Sequence, residues 1–130
     1  MAGGGIIIRE AHFPGRAPIE AYGDGGFRFA DMSHRGSILC LPSGIHGWEP
    51  ADPAALVAGD LTRVVEEAGE IDILLVGTGP DLKPLPAALR ARLREAGVSA
   101  EPMSTGAAVR TYNVLLAEDR LVAAALVAVE

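Results

Sequence analysis

The sequence predicts an α/β fold, a single three-layer domain built on a mixed sheet. The apolar run at residues 71–76 is typical of a strand covered on both faces, and it ends in a turn at Gly77, Thr78 and Gly79. From Ser37 onward, strand-like and helix-like segments alternate, which predicts a parallel βαβαβαβ portion with right-handed crossovers. The glycine-rich segments before Ser37 predict additional N-terminal antiparallel β structure.

The composition fits this fold class. The chain has 130 residues, of which 49% are hydrophobic and 5% aromatic, so the core must consist mainly of aliphatic side chains. We expect residues 1–130 to form one domain. The formal net charge of −6 disfavours nucleic acid as a partner, because the chain would repel phosphate backbones.

Cysteine and histidine positions argue against metal sites and disulfides. Cys40 is the single cysteine, and His12, His34 and His46 lack metal-ligand spacing. We therefore expect no metal and no cofactor. The sequence shows neither an export leader nor an apolar run long enough to cross a bilayer, which predicts a cytoplasmic protein without direct membrane insertion.

Three strands are predicted in the first third of the chain, at residues 6–8, 27–29 and 37–41. Glycine turns separate them, one at residues 23–26 and another at residues 33–36. The connectivity of this region is left open by the sequence.

The next element is predicted to be a long helix after a loop at residues 42–48. Asp52 is a suitable N-cap, and Pro53 suits the first helical position. Apolar side chains then recur at helical spacing until Gly69. These side chains are Val57, Leu61, Val64, Val65 and Ala68.

A second helix is predicted to begin at Pro86 and to end at Gly97, followed by a strand at residues 98–101. Its buried stripe is a set of leucines at helical spacing, Leu85, Leu89 and Leu93. A third helix is predicted to begin at Ser104 or Thr105 and to end near Glu118, and a final strand covers residues 120–129.

The predicted topology places a ligand cleft at the carboxyl ends of the parallel strands. The loops expected there consist of small residues, several with hydroxyl groups, and helix N-termini beside them offer free N–H groups to an anion. The candidate cleft residues are Ser43, Gly77, Thr78, Gly79, Ser104, Thr105, Arg110 and Asn113.

Catalytic motifs find little support. Gly77 and Gly79 begin a dinucleotide fingerprint, but Leu82 occupies the third glycine position, so an ordinary strand-to-helix turn is favoured. Ser43 lacks the glycines of a nucleophile elbow, and Cys40 lies in an apolar strand as a small hydrophobe would. We assign no catalytic residue.

Two groups of polar residues leave alternatives open. The arginines of the second helix, Arg90, Arg92 and Arg94, suit the helix dipole or an acidic partner. Arg110 and Asn113 suit either hydrogen bonds that hold neighbouring loops or contacts to a ligand.

Several blocks together resemble a known family. They are Gly36-Ser37, residues 73–79, the block Arg110-Thr111-Tyr112-Asn113 in its context from Met103, and Glu118 to Leu126. The chain resembles the small-domain family typified by a methanogen protein of unknown function. Its eukaryotic relatives include mitochondrial respiratory complex I assembly factor 3 and an adipogenesis-associated protein. The likeness covers residues 27–130 as the family core, most specifically to Leu126, and residues 1–26 match weakly.

The resemblance implies a three-layer α/β domain with no established catalytic activity or cofactor. It also implies a non-enzymatic interaction or assembly factor related to respiratory complex I (NADH:ubiquinone oxidoreductase) assembly. Its protein partners would be membrane-complex subunits or another assembly factor. The alternative, from the residues themselves, is a small-molecule or anion-binding domain, or a cryptic enzyme, with its cleft at the strand ends. The oligomeric state stays open.

Overall fold

The structure, a computed structural model, describes residues 13–130. The strand predicted at residues 6–8 lies outside the described residues. In chain order the strands are β1 (Ile19–Gly23), β2 (Gly26–Phe29), β3 (Met32–Arg35), β4 (Ser37–Leu41), β5 (Gly44–Trp48), β6 (Ile73–Gly77), β7 (Ser99–Met103) and β8 (Val122–Leu126). The α-helices are α1 (Thr62–Glu66), α2 (Ala87–Glu95) and α3 (Thr105–Ala117).

The N-terminal strands form a small antiparallel sheet in the order β1-β2-β3. This confirms the expected N-terminal antiparallel structure, and β2 includes the strand predicted at residues 27–29. The turn predicted at residues 33–36 is wrong, because Met32–Arg35 forms strand β3 and pairs with β2. The His34 side chain of this strand is buried. The polar composition of this strand conceals the alternation, because the inward position of β3 is a histidine.

The larger sheet has the strand order β5-β4-β8-β6-β7. Strand β6 is parallel to both β7 and β8, which confirms a mixed sheet with a parallel portion. Strand β4 runs antiparallel to β8, so the expectation that the parallel portion begins at Ser37 is wrong. The reason is a strand where a loop was predicted: β5 pairs antiparallel with β4, and Leu41 faces Gly44 across a two-residue turn.

The sheet separates two hydrophobic layers. Along β8, Val122, Ala124 and Leu126 pack towards α3 and the small sheet, whereas Ala123 and Ala125 pack towards α1 and α2. This alternation is the period of two expected of a strand buried on both faces. Helices on one face, and α3 with the small sheet on the other, give the predicted three layers.

The prediction of a long helix after Asp52 is wrong, although Asp52 does act as an N-cap. Asp52 accepts a hydrogen bond from the Ala54 amide at 3.0 Å, as an N-cap should, but only a 3-10 turn follows. The Val57 amide donates to the Asp60 carboxylate at 2.9 Å, and α1 has five residues. Side-chain hydrogen bonds of this kind compete with a continuous helical ladder, so the segment breaks into short turns.

The second and third helices are confirmed. Helix α2 follows Pro86 and ends before Gly97, whose φ of 87° is a left-handed conformation that glycine adopts without strain. Helix α3 follows Ser104, whose hydroxyl accepts from the Ala107 amide at 3.3 Å. The first residue of α3, Thr105, is thereby placed against the carboxyl end of β6.

One edge of the larger sheet is partly covered by the chain itself. Phe13 and Ile45 of β5 exchange two backbone hydrogen bonds of 3.0 and 2.9 Å. The opposite edge is β7.

Candidate functional site

Ser43 does not belong to the candidate cleft. Leu126 pairs with Gly77 of β6 on one side and with Ile38 of β4 on the other. The amino end of β4 therefore lies beside the carboxyl end of β6. The carboxyl end of β4, and Ser43 after it, lie at the opposite end of the strands. The cause is the antiparallel direction of β4, which the sequence pattern did not reveal.

Ser43 fastens the β4–β5 turn to the segment after α1. Its Oγ donates to the Glu67 carboxylate at 2.6 Å, and its amide donates to the same carboxylate at 2.9 Å. The His46 Nε2 lies 3.0 Å from Ser43 Oγ. The Ser43 hydroxyl donates its proton to Glu67, so His46 is not placed to remove that proton. In a Ser–His–acid triad the serine hydroxyl donates to the histidine instead.

Gly77 and Thr105, two of the predicted cleft residues, touch each other. A Cβ on Gly77 would lie 2.9 Å from Thr105 Cα and 3.0 Å from Leu126 Cδ2, distances that real Cβ atoms rarely show. Glycine is needed here for close approach of two backbones, and no cleft opens between the two segments at this point.

The Thr105 hydroxyl serves as an internal junction. It accepts from the Gly79 amide at 3.0 Å and donates to the Val127 carbonyl at 2.7 Å. The Thr105 amide in turn donates to the Gly79 carbonyl at 2.8 Å, and the side chain of Thr105 is completely buried. The loop after β6, the start of α3 and the end of β8 are thus joined through one side chain.

The polar groups of Thr78 are satisfied by its own loop and by the end of β7. Its amide donates to the Met103 carbonyl at 2.8 Å, and its hydroxyl donates to the Asp81 carbonyl at 2.7 Å. The same hydroxyl accepts from the Lys83 amide at 3.0 Å. With 1% of its surface exposed, Thr78 supports the loop rather than facing solvent.

Asn113 holds the first strand to α3. Its Oδ1 accepts from the Ile19 amide at 2.8 Å, and its Nδ2 donates to the Ile19 carbonyl at 2.9 Å. The amide side chain therefore reproduces the pair of bonds that a neighbouring strand would supply. Of the two interpretations of Asn113 left open by the sequence, the structure shows the structural contact.

The accessible site lies just outside this junction. We call it the Tyr22–Arg110 concavity, a surface depression of about 480 Å³. Its lining comprises Tyr22, Gly79, Pro80, Ser104, Gly106, Arg110 and residues 128–130. Three predicted cleft residues, Gly79, Ser104 and Arg110, are therefore brought together.

Tyr22 is the residue of this site that sequence reasoning missed. Its ring lies over Gly106, where any Cβ would collide with the Tyr22 hydroxyl, and 42% of its surface remains exposed. Arg110 is exposed, and its guanidinium has no hydrogen bond or ion pair within residues 13–130. An aromatic ring beside an unpaired guanidinium suits a carboxylate or phosphate bearing an apolar group.

The buried Cys40 thiol of β4 and the Tyr112 hydroxyl of α3 take no part in this site. Burial raises the pKa of the Cys40 thiol, and a hydrogen bond from Tyr112 lowers it to a smaller extent. Burial also raises the pKa of the Tyr112 hydroxyl. Cys40 is therefore a neutral core residue, as its apolar strand predicted.

The part of the chain that the structure describes contains no group of three His, Cys, Asp or Glu side chains arranged to hold a metal ion. None of its helices has the length and apolar character needed to cross a membrane.

The fold and site define a small α/β domain with joined strand-end loops and an accessible concavity beside α3. The chain belongs to the family described as Protein of unknown function (DUF498/DUF598), whose model matches residues 19–127. It is 45% identical over 118 residues to an uncharacterised protein of Rhodobacter capsulatus, covering 91% of this chain and 90% of that protein.

Similarity extends to a named assembly factor and to a solved structure. The chain is 29% identical to NADH dehydrogenase [ubiquinone] 1 alpha subcomplex assembly factor 3 of Danio rerio, covering 84% of this chain and 63% of that protein. A crystal structure described as an outer membrane protein from Bartonella henselae is 63% identical, with a TM-score of 0.89, covering 92% of this chain and all of that one. The family resemblance expected from the Arg-Thr-Tyr-Asn block is confirmed.

Proposed function

We propose that this chain is a non-enzymatic interaction factor that assists assembly of respiratory complex I. The observation that carries the proposal is its similarity to assembly factor 3, which covers 84% of this chain. The site geometry supports it, because Thr78, Thr105 and Asn113 use their polar atoms to hold the fold together. The polar groups left for a protein partner are those of exposed side chains such as Arg110.

The test is recovery of partners from the native cell. A chain tagged at its own locus should enrich subunits of NADH:ubiquinone oxidoreductase, or another assembly protein, over a tag-only strain. Deletion should slow the appearance of the mature complex on native gels. Repeated purifications that return no membrane-complex subunit and no assembly protein would contradict the proposal.

A second candidate function is small-molecule or anion binding at the Tyr22–Arg110 concavity. It is favoured by the exposed Arg110 guanidinium, which has no hydrogen bond or ion pair among residues 13–130 and lies beside a depression of about 480 Å³. We assign no catalytic step to it. A thermal-shift screen of nucleotides, inorganic phosphate and carboxylates should raise the melting temperature of the wild type and of Arg120→Ala, but not of Arg110→Ala. A screen without any stabilising compound would remove this candidate.

We further propose a cytoplasmic location, with membrane association only through partners. The location must be measured, since one similar structure carries the description outer membrane protein. The tagged chain should appear in the cytosolic fraction, and any membrane-bound portion should be released by carbonate washing. Retention in the washed outer membrane would refute this location.

A further inference from the structure

Strand β7 presents a free edge of the larger sheet. It occupies the end of the strand order and pairs with β6 on one side. No residue between 13 and 130 pairs with its other side. An unpaired strand edge is a template for an added strand.

The backbone hydrogen bonds show which groups of β7 face outward. The Ser99 amide donates to the Asp72 carbonyl at 3.1 Å, and the Met103 carbonyl accepts from the Thr78 amide at 2.8 Å. Odd-numbered residues of β7 therefore bond to β6, and the alternate residues, Ala100 and Pro102, direct their backbone groups outward. The free groups are the Ala100 amide and carbonyl and the Pro102 carbonyl.

Pro102 limits how much can be added. It has no amide hydrogen to donate at the second outward position. An added strand can therefore form a short ladder centred on Ala100, and a long continuous pairing is blocked.

A cationic groove follows this free edge. It has a volume of about 350 Å³, and its lining comprises Arg90, Arg94, Gly97, Val98, Ser99, Ala100 and Glu101. Arg90 and Arg94 are exposed, and neither guanidinium has a hydrogen bond or ion pair within the described residues. Two guanidinium groups outnumber the carboxylate of Glu101, so the groove favours an anionic occupant.

The spacing of the two arginines matches a strand. Arg94 lies four positions after Arg90, which places the two about 6 Å apart along α2. Side chains on one face of an extended strand recur about every 6.6 Å. Two carboxylates at alternate positions of an extended segment can therefore each meet one guanidinium.

We propose that β7 accepts a short, extended, acidic segment of a partner protein as an added strand. Its backbone pairs with Ala100, and carboxylates at alternate positions bind Arg90 and Arg94. This inference rests on the proposed function, since it names a surface through which an assembly factor holds its partner.

The test uses the whole chain labelled with 15N and a capped heptapeptide of alternating glutamate and valine. The Ala100 amide resonance should shift among the most strongly, and its hydrogen exchange should slow at least tenfold at saturation. A second capped heptapeptide, of alternating lysine and valine, is the charge-reversed probe. Arg90→Glu with Arg94→Glu should weaken binding of the glutamate–valine peptide at least tenfold and transfer the preference to the lysine–valine peptide. The matched control, Arg63→Glu with Arg120→Glu, makes the same change in net charge at exposed positions away from the groove and should bind like the wild type.

Several results would overturn the inference. They are an unaffected Ala100 amide, equal binding of the lysine–valine peptide by the wild type, or equal losses in the two double variants. Concentration-dependent pairing of β7 with a second copy, without peptide binding, would also overturn it. Failure here with normal partner recovery would remove this surface but leave the assembly role, whereas peptide binding without any partner would do the reverse.

Discussion

Replacing Thr105 by valine tests whether the strand-end junction stabilises the domain. Valine keeps the branched shape of threonine and removes the hydroxyl. The Gly79 amide and the Val127 carbonyl then lose their partner inside the protein, where the bonds measure 3.0 and 2.7 Å in the native chain.

The magnitude follows from the two orphaned groups. A buried donor or acceptor left without a partner costs about 1–3 kcal/mol, so the pair costs about 2–6 kcal/mol. The added methyl recovers less than about 1 kcal/mol. We therefore expect Thr105→Val to lower the free energy of unfolding by about 1–5 kcal/mol, a large part of the about 5–15 kcal/mol typical of a domain.

Urea denaturation followed by circular dichroism measures this loss. The midpoint should fall by roughly 0.5–2.5 M, with an unchanged m-value. The matched control is Thr111→Val, since the Thr111 hydroxyl donates at 2.9 Å to the Ala107 carbonyl within α3. That carbonyl keeps its helical partner, so the control should lose less than about 1 kcal/mol. Equal stability of the two variants would refute the assignment of Thr105 as a junction.

Three further changes probe neighbouring parts of the structure. Gly77→Ala should destabilise the chain by about 1–3 kcal/mol through overpacking, whereas Gly59→Ala, whose Cβ meets nothing within 4 Å, should cost less than about 1 kcal/mol; equal melting temperatures would contradict this. Asn113→Ala should speed amide exchange at Ile19 and along β1 without speeding exchange in β6, and unchanged protection would exclude the proposed tie. Because burial raises the pKa of the Cys40 thiol, its contribution to the free energy of unfolding should be fully present below about pH 8.5. Above that pH the free energy of unfolding should fall by up to about 1.4 kcal/mol per pH unit. Denaturant titrations at pH 7–10 should show a smaller decrease of this free energy with pH in Cys40→Ala.

The sequence predicted best those elements whose signals are local. The leucine stripe of α2, the Ser104 cap of α3 and the apolar run of β6 each contain their own period and their own stop signal. The break in the first helix was also local, but it depended on the side chain of Asp60, which competes with the helical ladder.

Strand direction and strand partners were harder to predict. Strand β5 contains His46 and two glycines, a composition typical of a loop, and it forms a strand because β4 supplies the pairing. Strand β4 runs antiparallel to β8, and Ser43 therefore lies at the opposite end of the strands from Gly77. These outcomes depend on contacts between distant residues, which periodicity does not record.

The candidate site also combines features that the sequence predicts with contacts between distant residues that it does not. Gly77 and Thr105 lie together because the parallel strands β6 and β7 end side by side, at Gly77 and Met103. The sequence did not reveal that the two residues touch, nor that Tyr22 of an unpredicted strand lies against Gly106, the residue after Thr105. Whether polar groups face a ligand or one another depends on distances of a few ångströms.

The two edges of the larger sheet have a consequence for how copies of the protein behave at high concentration. One edge is occupied at Ile45 by Phe13, and the other carries Pro102 at an outward position. Neither edge therefore offers a long, uninterrupted ladder, so copies lack the repeating contact that would let them stack into a growing fibril. The proline that limits such stacking still leaves Ala100 of β7 accessible to the single short strand that we propose.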